Sequence, residues 1–237
     1  LPISSSVVRG QQVVNFSASD GWKLSGSLYL PPVLNGAKAP GVVLLSEPAW
    51  EDRTVYGTYL SQDLAKAGFA VLTLDYRGTG ASVGRKDFFD LTKKEREGLR
   101  LDVSSAVSYL AGRGEVAPRL MAVVAASWSA DFAVQEAMEN SDIRALVLIS
   151  GEVKPQHQHY FRSERSVPLL GVVGKEDKQI FLEAAEAFSD SPHESSDMLI
   201  APGYGAGMFS HTKGLEQKVT AWLVKNLKGL GEERLVT

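Results

Sequence analysis

The chain has 237 residues, 44% of them hydrophobic and 22% charged, with a formal net charge of −3. That is the make-up of a soluble globular protein, and its mild acidity gives neither nucleic acid nor an anionic membrane an electrostatic hold, so a small-molecule ligand is the expected partner. With no cysteine, disulfides, thiol catalysis and thiolate metal sites are excluded, while the redox compartment stays open.

No apolar run approaches the roughly 18 residues that span a bilayer, so no membrane span is expected. The opening "LPISSS" has neither a start methionine nor a basic stretch. It fits a mature end left by signal cleavage as well as a trimmed chain, which leaves a cytoplasmic or exported location equally open. In chain order, "QVVNFSA", the pair Asp20-Gly21 and "WKLSGSLYLPP" predict an antiparallel hairpin, because alternating residues flank a D-G turn. Residues 32–40 form a loop. After it, six short continuous apolar runs, at 41–46, 69–75, 120–126, 145–150, 167–174 and 196–201, read as buried parallel strands. Helical periodicity fills the gaps at 54–67, 98–111, 128–139, 179–189 and 212–227, the last with Leu215, Val219, Trp222 and Leu223 on one face. Without repeats, low-complexity tracts or a linker, the pattern predicts one α/β domain over 1–237: a hairpin, then a mostly parallel doubly wound sheet flanked by helices. About 16 residues separate the fourth and fifth runs, so any lid there is minimal.

Two stretches carry the chemistry. "LDYRGTGAS" follows the second run, and "VVAASWSADFAV" joins the third run to a helix. Together they resemble the α/β-hydrolase fold family, in particular its small, lid-poor, esterase-like and dienelactone-hydrolase-like members, and the resemblance extends from about residue 12 to 228. It implies that Asp75, Arg77, Gly78, Gly80 and Ser82 fill the family's D-x-R-G-x-G-x-S segment, whose role is structural. It also places Ser127 at the nucleophile elbow, with the backbone N–H of Trp128 forming half of an oxyanion hole. The family's two elbow glycines are Ala125 and Ser129 here. A serine at a strand-helix junction is otherwise an N-cap.

By the same resemblance "VVGKEDKQI" supplies the acid, Asp177, with Glu176 as the near alternative, and N-capping of the next helix is compatible with either. After the last run the family carries a histidine inside a P-G-x-x-H-G-like loop. In "APGYGAGM" Pro202, Gly203 and Gly207 match, but the histidine position is Ala206, which has no proton acceptor. His211, five residues on, is the candidate displaced base; His193 precedes the last strand, and His157 and His159 lie in the lid-like connection. An H-x-H pair without a third ligand does not make a metal site, and neither metal nor cofactor is expected. The other half of the oxyanion hole falls in Ser46-Glu47-Pro48-Ala49-Trp50, where Pro48 has no N–H, leaving Glu47 or Ala49 as donor.

Two functions are therefore expected of this sequence. One is a serine esterase using Ser127, Asp177 and a displaced base such as His211. The other is a relative of the serine carboxylic-ester hydrolases with weak or lost activity, a pseudo-hydrolase that binds a small ester or acyl ligand or a protein. Dinucleotide binding, suggested by "GTGASVG", is set aside because no helix follows it at once. Oligomeric state is not legible.

Overall fold

The computed structural model describes residues 9–228 apart from 33, 35, 58 and 85. In chain order the strands are β1 (Arg9–Ser17), β2 (Lys23–Leu30), β3 (Ala39–Leu45), β4 (Ala70–Asp75), β5 (Val116–Ala126), β6 (Ile143–Ile149), β7 (Leu169–Gly174) and β8 (Asp197–Ala201). The helices are α1 (Leu60–Lys66), α2 (Lys93–Glu97), α3 (Leu99–Ala111), α4 (Ser129–Glu139), α5 (Pro155–Gln158), α6 (Lys178–Asp190), α7 (Met208–His211) and α8 (Leu215–Leu223).

The D-G turn closes the hairpin as its residues predict. Gly21 takes φ 89°, a left-handed value that suits glycine, and Ser17 then faces Lys23 across the antiparallel pair. β2 continues antiparallel onto β4, and from β3 onward neighbouring strands are parallel. The sheet order is β1-β2-β4-β3-β5-β6-β7-β8. Every residue of β3 and β4 is buried, which is why these strands read as continuous apolar runs rather than alternating ones. Successive residues feed opposite cores. Val43 and Leu45 join α3 and α4 side chains such as Val103, Leu110 and Val134, whereas Val42 and Leu44 join Leu60 and Leu64 of α1 and Val219 and Leu223 of α8.

Boundaries differ where a local contact overrides periodicity. The helix expected at 54–67 starts only at Leu60, and Tyr56 is held in the preceding turns, buried with its hydroxyl donating to Leu45 O at 2.9 Å. β5 starts four residues earlier than expected and bulges, so that Pro40 faces Ala117 and Gly41 faces Met121. The bulge absorbs Pro118, which cannot donate to a ladder. The helix expected at 212–227 starts only at Leu215 and ends in a π turn (Val224–Lys228), because Gly214, at φ 84°, breaks the chain between α7 and α8. α2 carries no apolar stripe and is set by a capping box between Thr92 and Glu95. The β6–β7 connection holds only α5 and a tight turn, His159–Arg162.

The chain runs from β3 outward to β4 and then returns across β3 to β5, so the winding direction reverses between β3 and β5. In open α/β sheets the crevice outside the carboxyl ends of the strands at such a switch point is where ligands bind. The residues that emerge there are Ser46-Glu47 after β3 and Ser127 after β5.

Candidate active site

Ser127 joins β5 directly to α4 with φ 52°, a left-handed conformation that costs a non-glycine residue about 1–3 kcal/mol. The surroundings hold it there: its N–H donates to Ile149 O at 3.0 Å and its carbonyl accepts from Ala130 N at 3.0 Å. The residue is half-buried, and its hydroxyl makes no hydrogen bond to a described residue. Gly151, at the end of β6, lets that strand close on the elbow, since a Cβ there would fall 2.2 Å from Ala130 Cβ.

Ser129, in place of an elbow glycine, is fully buried and makes two short bonds. Its hydroxyl donates to Ser46 O at 2.6 Å and, having spent its proton, accepts from the Tyr76 hydroxyl at 2.7 Å. Burial raises the Tyr76 phenol further above its usual range, which keeps it a donor. The chain Tyr76–Ser129–Ser46 O therefore ties the elbow helix to the ends of β3 and β4.

The D-x-R-G-x-G-x-S segment is scaffolding beside this site. Buried Asp75 accepts from Arg53 N at 2.7 Å and Ala81 N at 2.8 Å and is ion-paired with the Arg53 guanidinium. Ser82 donates to Asp75 O at 2.8 Å and accepts from Ser25 N at 2.8 Å. Arg77, 1% exposed, pairs with Asp102 at 2.6 Å and Asp20 at 2.8 Å. At Gly80, φ 47°, a Cβ would sit 2.5 Å from the Asp75 carboxyl carbon.

At Glu47, expected as an oxyanion donor, the N–H is engaged: it donates to Glu51 Oε2 at 3.0 Å. Burial raises the Glu51 pKa, the nearby Glu47 and Asp52 charges add to the rise, and the Glu47 N–H opposes it. A carboxylate at that N–H competes with any oxyanion for the donor. Pro48 is buried and Ala49 turns through φ 79°. Trp50 then lies exposed with its ring edge-on to Phe89, centroids 5.2 Å apart. Trp128, the residue after Ser127, is 51% exposed.

Asp177 follows β7, and its Oδ1 accepts from Ile180 N at 3.1 Å, so it caps α6. It borders the loop after β8, for a Cβ on Gly174 would meet Gly203 O at 2.6 Å and Asp177 Cβ at 3.5 Å. Glu176 is exposed. Ala206 lies in a tight turn, Gly205–Gly207, and is 1% exposed in the core cluster that contains Met208 and Phe209. His211 ends α7 with its side chain exposed; it is hydrogen-bonded to neither Ser127 nor Asp177.

The remaining histidines are engaged elsewhere: His193 Nε2 with Ser166 O at 2.8 Å and His159 Nδ1 with Gln156 O at 2.8 Å. His157 Nδ1 meets Asp131 Oδ1 at 2.6 Å. Asp131 also accepts from Lys154 N at 3.0 Å and Gln135 Nε2 at 2.9 Å. Burial resists ionisation of Asp131, but these bonds outweigh it and the pKa is lowered. This pair straps the lid connection to α4 one turn past Ser127. Sequence reasoning did not pair residues 131 and 157, because neither lies in a motif and only the crossover from β6 brings them together. Among the described residues no cluster of three or more His, Asp or Glu could hold a metal ion, and no helix is long and apolar enough to cross a membrane.

A strained serine elbow at the switch point of a sheet with this order and antiparallel start defines an α/β-hydrolase fold. Residues 20–218 match the family model described as X-Pro dipeptidyl-peptidase (S15 family), and the chain belongs to that family. Among solved structures it is similar to a dienelactone hydrolase from Anabaena variabilis, at 21% identity and TM-score 0.67 over 92% of this chain and 98% of that one. An esterase of Pyrococcus furiosus matches at 15% identity and TM-score 0.69 over 92% and 93%. The esterase domain of a Rhodothermus marinus protein matches at 15% and 0.68 over 92% and 100%. At these identities the likeness is one of fold. Among curated proteins no relative matches significantly.

Proposed function

We propose that the crevice between β3 and β5 binds a small ester or acyl ligand beside Ser127, and that hydrolytic turnover there is weak or lost. Two observations support this reading: Ala206, expected at the place of the family's base, is an apolar core residue, and the Ser127 hydroxyl has no acceptor among the described residues. A serine without a proton acceptor is an ordinary alcohol at neutral pH, and loss of the triad histidine costs on the order of 10⁶ in turnover. Asp177, in the acid position, has no imidazole to orient. The Glu51 carboxylate occupies the Glu47 N–H, leaving the Trp128 and Ala49 N–H groups as the remaining candidate donors. The dipeptidyl-peptidase activity for which the family is named needs the same serine activation and meets the same obstacle.

A second reading, an active esterase with His211 as displaced base, is favoured by one observation: that imidazole is uncommitted and sits at the end of a four-residue helix just past the loop. Titration with phenyl acetate separates the two. The first reading expects saturable quenching of Trp emission that Trp128→Phe removes, with the ester recovered intact. Absence of saturation refutes ligand binding at the elbow, and phenol release abolished by both Ser127→Ala and His211→Ala establishes the second reading instead.

A further inference from the structure

On the other side of β6 from the elbow lies a cavity of about 50 Å³, several times the ~10–15 Å³ that one water needs by the same measure. Its walls are Leu148 of β6, Val173 of β7, Phe161 of the lid turn and Ile180 and Ala184 of α6. Arg162 and Glu186, both also lining it, pair with each other at 3.3 Å. Two uncharged polar residues line it as well, Ser150 and Gln158, the latter with its amide donating to Val153 O at 3.0 Å. Ser150 is 9% exposed, and its hydroxyl has no hydrogen-bond partner. Other buried hydroxyls, of Ser25, Ser46, Ser61 and Thr73, also lack partners, but among the described residues Ser150 is the one of them that lines the cavity.

Its backbone adds a second observation. Ser150 takes φ 43° and is held there by its N–H donating to Val172 O at 2.8 Å. An alanine would fill this place without an unpaired hydroxyl, and a glycine without strain. Both costs are borne at one residue, which is the pattern of a position kept for contact with a ligand.

We propose that this cavity is a second ligand site, distinct from the Ser127 crevice, and that it takes a small neutral apolar molecule carrying one hydrogen-bonding oxygen, such as a phenol or short alcohol. The aliphatic and aromatic walls accept the apolar body, and Ser150 Oγ pairs with the oxygen as donor or acceptor. A charged ligand is disfavoured, because the two ionic groups at the cavity pair with each other and its other described lining residues carry no charge to meet a desolvated ion. Ser127 does not line the cavity. Gly151 stands between the two sites, lining the cavity while a Cβ on it would lie 3.5 Å from Ser127 O.

The test is a methyl NMR titration with 4-methylphenol and, separately, toluene. The natural protein is expected to show saturable shifts of the Ile180, Val173 and Leu148 methyls with both. Ser150→Ala is expected to weaken 4-methylphenol about tenfold, the loss of one hydrogen bond, and to leave toluene unchanged. Ala184→Leu, which fills the space, abolishes both while the protein stays folded by thermal melting; should that variant not fold, the Ser150→Ala comparison decides alone. Ser127→Ala leaves both affinities unchanged. The proposal is overturned by non-saturable shifts in the natural protein, by equal 4-methylphenol affinity in Ser150→Ala, or by loss of binding in Ser127→Ala, which would assign the ligand to the crevice.

Discussion

Replacing Ser129 by alanine tests whether the serine at the elbow is a structural tie. The hydroxyl lost is the acceptor for Tyr76 OH at 2.7 Å and the donor to Ser46 O at 2.6 Å, and all three residues are at most 1% exposed. Each buried group stranded without a partner costs about 1–3 kcal/mol. With partial relaxation, and a gain of up to ~0.5 kcal/mol from alanine's better helix propensity, the net loss is about 2–3 kcal/mol. A slope near ~3 kcal/mol/M, at the upper end for small proteins in urea, makes that a fall of roughly 1 M in the unfolding midpoint by circular dichroism. Tyr76→Phe leaves the bond to Ser46 O in place and should cost less, about 1 kcal/mol. The two sites share a hydrogen bond, so the double mutant falls short of the sum by about 0.5 kcal/mol or more. A Ser129→Ala variant within about 0.5 kcal/mol of the natural protein, or one more stable than Tyr76→Phe, refutes the reasoning.

Asp102→Ala strands the buried Arg77 guanidinium and is expected to cost about 3–5 kcal/mol. Asp20→Ala, at the exposed end of the same network with Asp102 still in place, should cost less than about 1 kcal/mol; thermal melting of both variants checks the order. Glu51, raised above the ordinary 4.5 when folded, favours the folded state most below that value and loses the contribution as pH rises through its folded pKa. Glu51→Gln removes this slope, so its stability relative to the natural protein should climb between pH 4 and 7 in urea titrations, and a constant gap would contradict the assignment. Asp131 is shifted the other way. Its strap to His157 contributes above the ordinary 3.8 and fades as pH falls through the lowered folded value, which hydrogen exchange at 154–158 should report as faster opening at pH 3 than at pH 5.

The sheet was legible because its signals are local. Asp20-Gly21 fixes the hairpin turn, and six continuous apolar runs coincide with the six strands from β3 to β8. What periodicity missed depended on contacts between distant segments: Tyr56 reaching Leu45 O delays α1, and the pairing of Pro40 with Ala117 shapes the β5 bulge. At the site, the strand-to-helix position of Ser127 was readable from "VVAASWSADFAV", since that junction is written in adjacent residues. The partner of Ser129 was not, because Ser46 and Tyr76 lie 83 and 53 positions away. Nor was the Glu51 carboxylate on the Glu47 N–H, four residues apart in a loop without a regular period. The Asp131–His157 strap and the Ser150 cavity likewise belong to the crossovers after β5, β6 and β7.

The most direct test of the account is steady-state hydrolysis of 4-nitrophenyl acetate at pH 8 by the natural protein, Ser127→Ala and His211→Ala at equal concentration. A serine elbow without a base predicts three rates that agree within twofold. A natural rate that exceeds Ser127→Ala by ~10² or more, the scale of one general base, would contradict it and show that Ser127 is activated in this fold.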